Sequence, residues 1–242
     1  MITCEYGLCE IKHLCAPAGI QELHSGMQKR EIPQICDIPF YFIPGVKIYS
    51  ENPAKTDMMR GEETEIVGLI DEFGTDCVYV LPGSHSKLIV PDSEKRIESF
   101  KTMMTGEMIS ALSKNTILNG TVDLSIKEHD TPSLIMGYEY CIKYGINDAL
   151  FKTRILKNLF SKSDVEIYSY FLGVILANEI ESLKRYNKKG VVIGGKNQLK
   201  KAMCDLLKAT TDLEIISVPE KSVDDCVFMG QIKIFEYQKK SA

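Results

Sequence analysis

No run of apolar residues in this chain approaches the roughly 20 that a bilayer-spanning helix needs, so no helical membrane anchor is expected within it. Positive charge is not in excess either. Lys and Arg number 29 against 33 Asp and Glu, a net charge of −4, which offers no general attraction to nucleic-acid backbones or anionic lipid. Neither nucleic acid nor a membrane is therefore expected as a partner. The opening MITCEYGLCEIKH lacks a basic segment leading into an apolar one, so no signal peptide is expected and a cytoplasmic location follows. Among the eight cysteines there is no C-x2-C pair. Cys4, Cys9 and Cys15, near His13, are spaced more widely than structural zinc sites favour, and free, mostly buried thiols are expected. Internal repeats and low-complexity segments are absent, as are the Walker A pattern and the G-x-S-x-G nucleophile turn.

What is present is ordinary globular composition, 44% hydrophobic and 26% charged. The first segments read as a short helix around Ile20–Gln28 and a buried strand over Ile38–Val46 that runs into a Pro44-Gly45 turn. Ile66, Leu69, Ile70 and Phe73 then fall at helical spacing, with Glu62, Glu63 and Glu65 early, where the helix dipole favours carboxylates. From Asp76 the period changes. CVYVLPG, SKLIVPD and RIESFKTMM read as an antiparallel three-strand meander, followed by a helix opened by Thr105-Gly106. A polar loop is expected over Asn115–Thr131, then two long helices from Leu156, the second with a wide apolar face through Ile167, Phe171, Val174 and Ile175. Strand, Gly-Gly turn, amphipathic helix, strand and a last short helix complete the order. Helices on a mixed sheet that begins with an antiparallel meander suggest an α/β fold with a ribonuclease H-like domain over 76–242, preceded by the remainder of another over 1–75.

Four constellations carry chemistry, each with a plain alternative. Gly83, Ser84, His85, Ser86 and Lys87 supply backbone donors, two hydroxyls and a cation that could cradle a phosphate; a polar hairpin explains the composition equally. Thr105 and Gly106 open a helix whose N–H groups could meet an anion, or simply cap it. Gly194 and Gly195, between strand and helix, allow close approach to the backbone, as many such turns do. Asp57, Arg60, Glu62, Glu63 and Glu65 crowd into nine residues: a solvated helix start, or an Arg for a substrate carboxylate beside a carboxylate base.

Taken in order, DMMRGEETEIVG (57–68), LPGSHSK (81–87), the MTGEM that ends at Met108, YFLGVILANEI (170–180) and VVIGGKNQL (191–199) resemble the 2-dehydro-3-deoxygalactonokinase family of the sugar kinase/heat-shock protein 70/actin superfamily. The resemblance runs along nearly the whole chain. It implies an actin-like ATPase fold of two ribonuclease H-like domains closing over a cleft, the first incomplete here. It also implies ATP- and Mg2+-dependent transfer of a phosphoryl group to the 6-hydroxyl of 2-dehydro-3-deoxy-D-galactonate. Gly83–Lys87, Thr105 and Gly106 would then meet ATP phosphates, and Gly194-Gly195 the adenosine. Arg60 and Glu63 would bind the sugar acid, with Glu62 or Asp57 as the base. ATP and the sugar acid are the partners implied, and a homodimer is compatible with all of this. One departure stands out: the family's D-x-G-(T/S)-T phosphate turn does not occur, and Met1 coincides with an internal methionine of the family pattern. A truncated or split reading frame is expected, lacking half of the phosphate clamp. A kinase of another 2-keto-3-deoxy acid, or a non-catalytic ligand-binding remnant, are the alternatives.

Overall fold

The structure, a computed structural model, describes residues 11–195 and 198–237; Cys4 and Cys9 of the cysteine cluster lie outside them. The chain divides into two compact units. One comprises Met1–Cys77, Ile89–Thr102 and Lys221–Ala242, the other Val78–Leu88 and Met103–Glu220.

In the first unit, β1 (Leu14–Cys15) runs parallel to a later strand, Val46–Ile48, and a short helix, α1 (Ile20–Gly26), follows β1. β2 (Gln28–Arg30) and β3 (Phe40–Phe42) pair as an antiparallel ribbon. β4 (Val46–Ile48) pairs on its other edge, antiparallel, with β5 (Asp57–Met59), giving the order β1-β4-β5. The single buried strand expected over Ile38–Val46 is thus two strands. Pro44 has no N–H to extend a ladder, and Ile38 is 72% exposed. α2 (Glu62–Phe73) starts after Gly61 and buries Ile66, Val67, Leu69 and Ile70, as its spacing requires. Asp71 on α2 accepts from Lys95 at 3.0 Å and from Lys233 at 2.7 Å, and the two ammonium groups hold its carboxyl below the usual range despite partial burial.

A five-stranded sheet has the order β10-β9-β6-β7-β8. Its strands are β6 (Cys77–Leu81), β7 (Ser86–Pro91), β8 (Ile97–Met103), β9 (Gly190–Ile193) and β10 (Glu214–Ser217), the last two parallel. In chain order this is 3-2-1-4-5, the ribonuclease H-like arrangement, with the expected meander as its first three strands. The second unit carries α3 (Thr105–Asn115), α4 (Thr131–Tyr144), α5 (Ile146–Phe160), α6 (Asp164–Leu183) and α7 (Gln198–Thr210). α6 is capped by Ser163, whose hydroxyl accepts from Glu166 N, and it is buried on nearly every side. Such a helix is core, and α3, α4, α5 and α7 all pack on it. Sequence reasoning assigned nothing to α4, which follows the polar stretch directly: Asp130 caps it and Pro132 occupies its first turn. The final helix, α8 (Glu220–Phe235), is 16 residues long rather than short. Among the described residues no helix is long and apolar enough to cross a membrane.

Candidate functional site

The acidic block of the first unit is organised by one turn. Gly61 sits at φ +106°, a conformation that disfavours any side chain, and its N–H is taken by both oxygens of Glu63 at 2.9 and 2.7 Å. Glu63 is 2% exposed, and burial raises its carboxyl to about pH 7 against the pull of those hydrogen bonds. Glu62 is half-buried, and its Oε2 accepts from Arg60 N at 3.1 Å. The exposed Arg60 donates from its guanidinium to Ile11 O at 2.7 Å and lies 3.4 Å from His13 Nδ1. Burial first, then Arg60 and Lys47, keep that imidazole below its ordinary value. Asp57 is occupied on both oxygens: Oδ2 accepts Thr102 N at 2.7 Å, and Oδ1 accepts Thr102 Oγ1 at 2.8 Å and Met58 N at 2.7 Å. It ties β5 to β8.

Arg60, Gly61 and Glu63 form the polar edge of a cavity of about 710 Å³ whose other walls are largely apolar, among them Tyr41, Phe42, Phe228 and Phe235. Thr64, Gln231 and Glu236 add further hydrogen-bonding groups to its lining, and the Arg60 edge supplies the cation suited to a carboxylate.

In the second unit the structure joins two of the predicted constellations. Gly106 N donates to Gly83 O and to Ser84 O, both at 3.1 Å, and Glu107 N donates to Ser84 O at 3.3 Å. The first turn of α3 is therefore closed by the hairpin's own carbonyls. A Cβ on Gly106 would fall 2.8 Å from Gly83 O and from Ser84 Cα, so only glycine permits this approach. His85 Nε2 pairs with Glu107 at 3.0 Å across the same junction. Gly83, Ser84 and His85 reach the surface, whereas Ser86 is 0% and Lys87 3% exposed, because both already belong to β7. Lys87 Nζ donates to His85 O at 3.0 Å.

The stitched turn opens on a second cavity, of about 470 Å³, with Gly83, Ser84 and Gly106 at one end. Ile109 and Leu172 form apolar walls, and Lys127, Tyr168 and Gln198 add polar groups that sequence reasoning did not single out. Tyr168 OH donates to Gln198 Oε1 at 2.8 Å. Gly194 N bonds Val80 O at 2.9 Å, holding β9 to β6, while Gly195 takes φ +74° with its carbonyl accepting from Lys200 Nζ at 3.3 Å. Neither glycine lines the described cavity.

Two expected outcomes arise here. Gly106→Ala should force the hairpin away from α3 and weaken any ligand of the second cavity about tenfold or more, while Gly106→Ser should do the same; equilibrium titration reads it. The second concerns pH. Glu63 and the core acid Glu179 both titrate near 7 rather than 4.5, burial being the main cause in each. Between those values the unfolded carboxyls have lost protons that the folded ones keep, so stability falls as pH rises through this window. Each shift is worth on the order of 3 kcal/mol. Urea denaturation of Glu63→Gln/Glu179→Gln should show a flatter slope from pH 4.5 to 7; parallel slopes would contradict the assignment.

Among the described residues, no group of three or more His, Cys, Asp or Glu is placed to hold a metal ion. A family model described as 2-keto-3-deoxy-galactonokinase matches residues 1–232. The chain belongs to this family. A 2-dehydro-3-deoxygalactonokinase from Escherichia coli (strain K12) is 26% identical over 147 residues, 60% of this chain and 48% of that protein. A "Probable 2-dehydro-3-deoxygalactonokinase" from Rhizobium meliloti (strain 1021) is 32% identical over 123 residues, 50% of this chain and 38% of that one. The chain thus spans about half the length, or less, of the curated relatives it matches. A crystal structure of a "putative 2-dehydro-3-deoxygalactonokinase protein" from Sinorhizobium meliloti superposes with a TM-score of 0.79 at 21% identity, covering 94% of this chain and 76% of that one. The fold is shared with that kinase-family structure.

Proposed function

We propose that this chain is a carbohydrate kinase that transfers the γ-phosphoryl group of ATP to the 6-hydroxyl of 2-dehydro-3-deoxy-D-galactonate, in the cytoplasm. The observation that carries this is the stitched turn of Gly83, Ser84 and Gly106 at the end of a partly apolar cavity of nucleotide size. Ser84 and the exposed backbone of Gly83–His85 would meet the phosphates. The walls around Tyr168 and Leu172 suit a base and ribose. The second unit, Val78–Leu88 and Met103–Glu220, would form the nucleotide side, with Gly194-Gly195 near the adenosine, and the first unit, which includes α8, the sugar-acid side.

Family membership supports the chemistry. Arg60 would hold the substrate carboxylate, since a guanidinium has donors to spare after Ile11 O is satisfied. Of the three acids, Glu62 is the reading we favour as base. Asp57 has both oxygens committed to Thr102, and Glu63 is buried on the Gly61 N–H. Phosphoryl transfer asks a protein mainly for positioning and charge neutralisation. Mg2+ would arrive on ATP oxygens, as it commonly does, rather than in an all-protein cage.

The test is ADP release by the 242-residue chain with this sugar acid, with other 2-keto-3-deoxy acids, and with a version extended upstream. Turnover selective for the galactonate derivative supports the reading. Turnover with none of them, in either length, sinks it.

A further inference from the structure

The hairpin and the start of α3 are held from beneath by a single buried acid. We propose that Glu179 is a positioning residue for the nucleotide phosphates, fixing the Gly83–His85 backbone by accepting hydrogen bonds from the hydroxyls of Thr105 and Ser86. This rests on the nucleotide reading of the second unit and deepens it.

Glu179 is 1% exposed on α6, among Ile175, Leu176 and Ile180. Thr105 Oγ1 donates to its Oε1, and the Ser86 hydroxyl acts on the same carboxyl, pulling its pKa down against the larger effect of burial. Ser86 Oγ in turn accepts from Gly83 N at 3.3 Å. A hydroxyl has one proton. With that proton committed inward, Ser86 presents a lone pair to Gly83 N–H and closes the turn at its first residue. Thr105, anchored to the same carboxyl, sets where Gly106 meets the carbonyls of Gly83 and Ser84. One acid therefore orders both halves of the exposed tip without touching a ligand itself.

Stability does not explain its presence. Glu179 Oε2 is buried and finds no hydrogen-bond partner among the described residues. Half of the group's capacity is thus lost to desolvation, and an apolar side chain of similar volume would suit this core at least as well. What an apolar residue would not supply is the acceptor shared by two turns.

The experiment uses the full chain with MgADP as the probe, in calorimetric titration, beside sugar-acid titration and thermal melting. Glu179→Met keeps the volume and removes the acceptor. It should bind MgADP about tenfold more weakly or worse, with sugar-acid affinity unchanged and a melting temperature equal or higher. Glu179→Gln keeps an acceptor and should bind MgADP within about threefold of wild type. Should Glu179→Met not fold, Thr105→Val and Thr105→Ser repeat the comparison from the other partner, with only Val expected to weaken binding. MgADP affinity unchanged in Glu179→Met or Thr105→Val overturns the proposal, as does loss of both ligands in step with melting temperature. A wild-type chain that binds no MgADP removes the nucleotide reading itself, and this proposal with it.

Discussion

Glu62→Gln is expected to lower turnover by about 10²- to 10⁴-fold, with little change in the KM for either substrate. An amide of the same shape keeps the hydrogen bond from Arg60 N but cannot take a proton from the attacking hydroxyl. Its two neighbours supply the controls. Asp57→Asn should act through structure, since its carboxylate accepts both the N–H and the O–H of Thr102 between β5 and β8. Loss of stability with kcat largely kept is the expected pattern there. Glu63→Gln should loosen the Gly61 turn, whose N–H it alone is seen to hold by both oxygens, and raise the KM for the sugar acid more than it lowers kcat. Steady-state kinetics on the three variants separates these roles. A Glu62→Gln enzyme within about tenfold of wild type would remove Glu62 as the base.

Arg60→Ala carries the second large effect. A charge-assisted pair to a substrate carboxylate is worth roughly 1.5–3 kcal/mol, so the sugar-acid KM should rise about 10- to 150-fold. The KM for ATP should stay near wild type, because Arg60 lies in the unit that lacks the stitched turn. Arg60→Lys should recover only part of the loss, since an ammonium cannot reproduce the planar fork. Equal rises in both KM values would mean that Arg60 supports the fold through Ile11 O rather than reading the substrate.

How much of this was legible beforehand depended on whether the signal was local. The meander could be read because its short apolar runs are bounded by Pro-Gly and Pro-Asp turns, and α6 because its apolar run is too long for a strand. The strand over Ile38–Val46 misled because an apolar run does not reveal that Pro44 will interrupt the ladder or that Ile38 and Tyr41 will face outward. α4 escaped because its cap, Asp130, closes a polar stretch that reads as loop. At the candidate site, the five residues Gly83–Lys87 were located as a group, but composition alone does not say where β7 begins. Since the strand starts at Ser86, two of the five are buried, Gly83 is partly buried, and only Ser84 and His85 are exposed. Lys127, Tyr168 and Gln198 come from three distant segments and share no motif. Glu179 reads as one of four acids on α6, and only the fold places it beneath Ser86 and Thr105.

The most direct test of the account is a phosphorus NMR time course of the purified chain with MgATP and 2-dehydro-3-deoxy-D-galactonate. The predicted result is loss of the γ-phosphate signal matched by a new phosphomonoester on the sugar's 6-oxygen, absent in Glu62→Gln. Persistent ATP, or ADP and inorganic phosphate with no phosphomonoester, from a chain that demonstrably binds MgADP and the sugar acid, would contradict it.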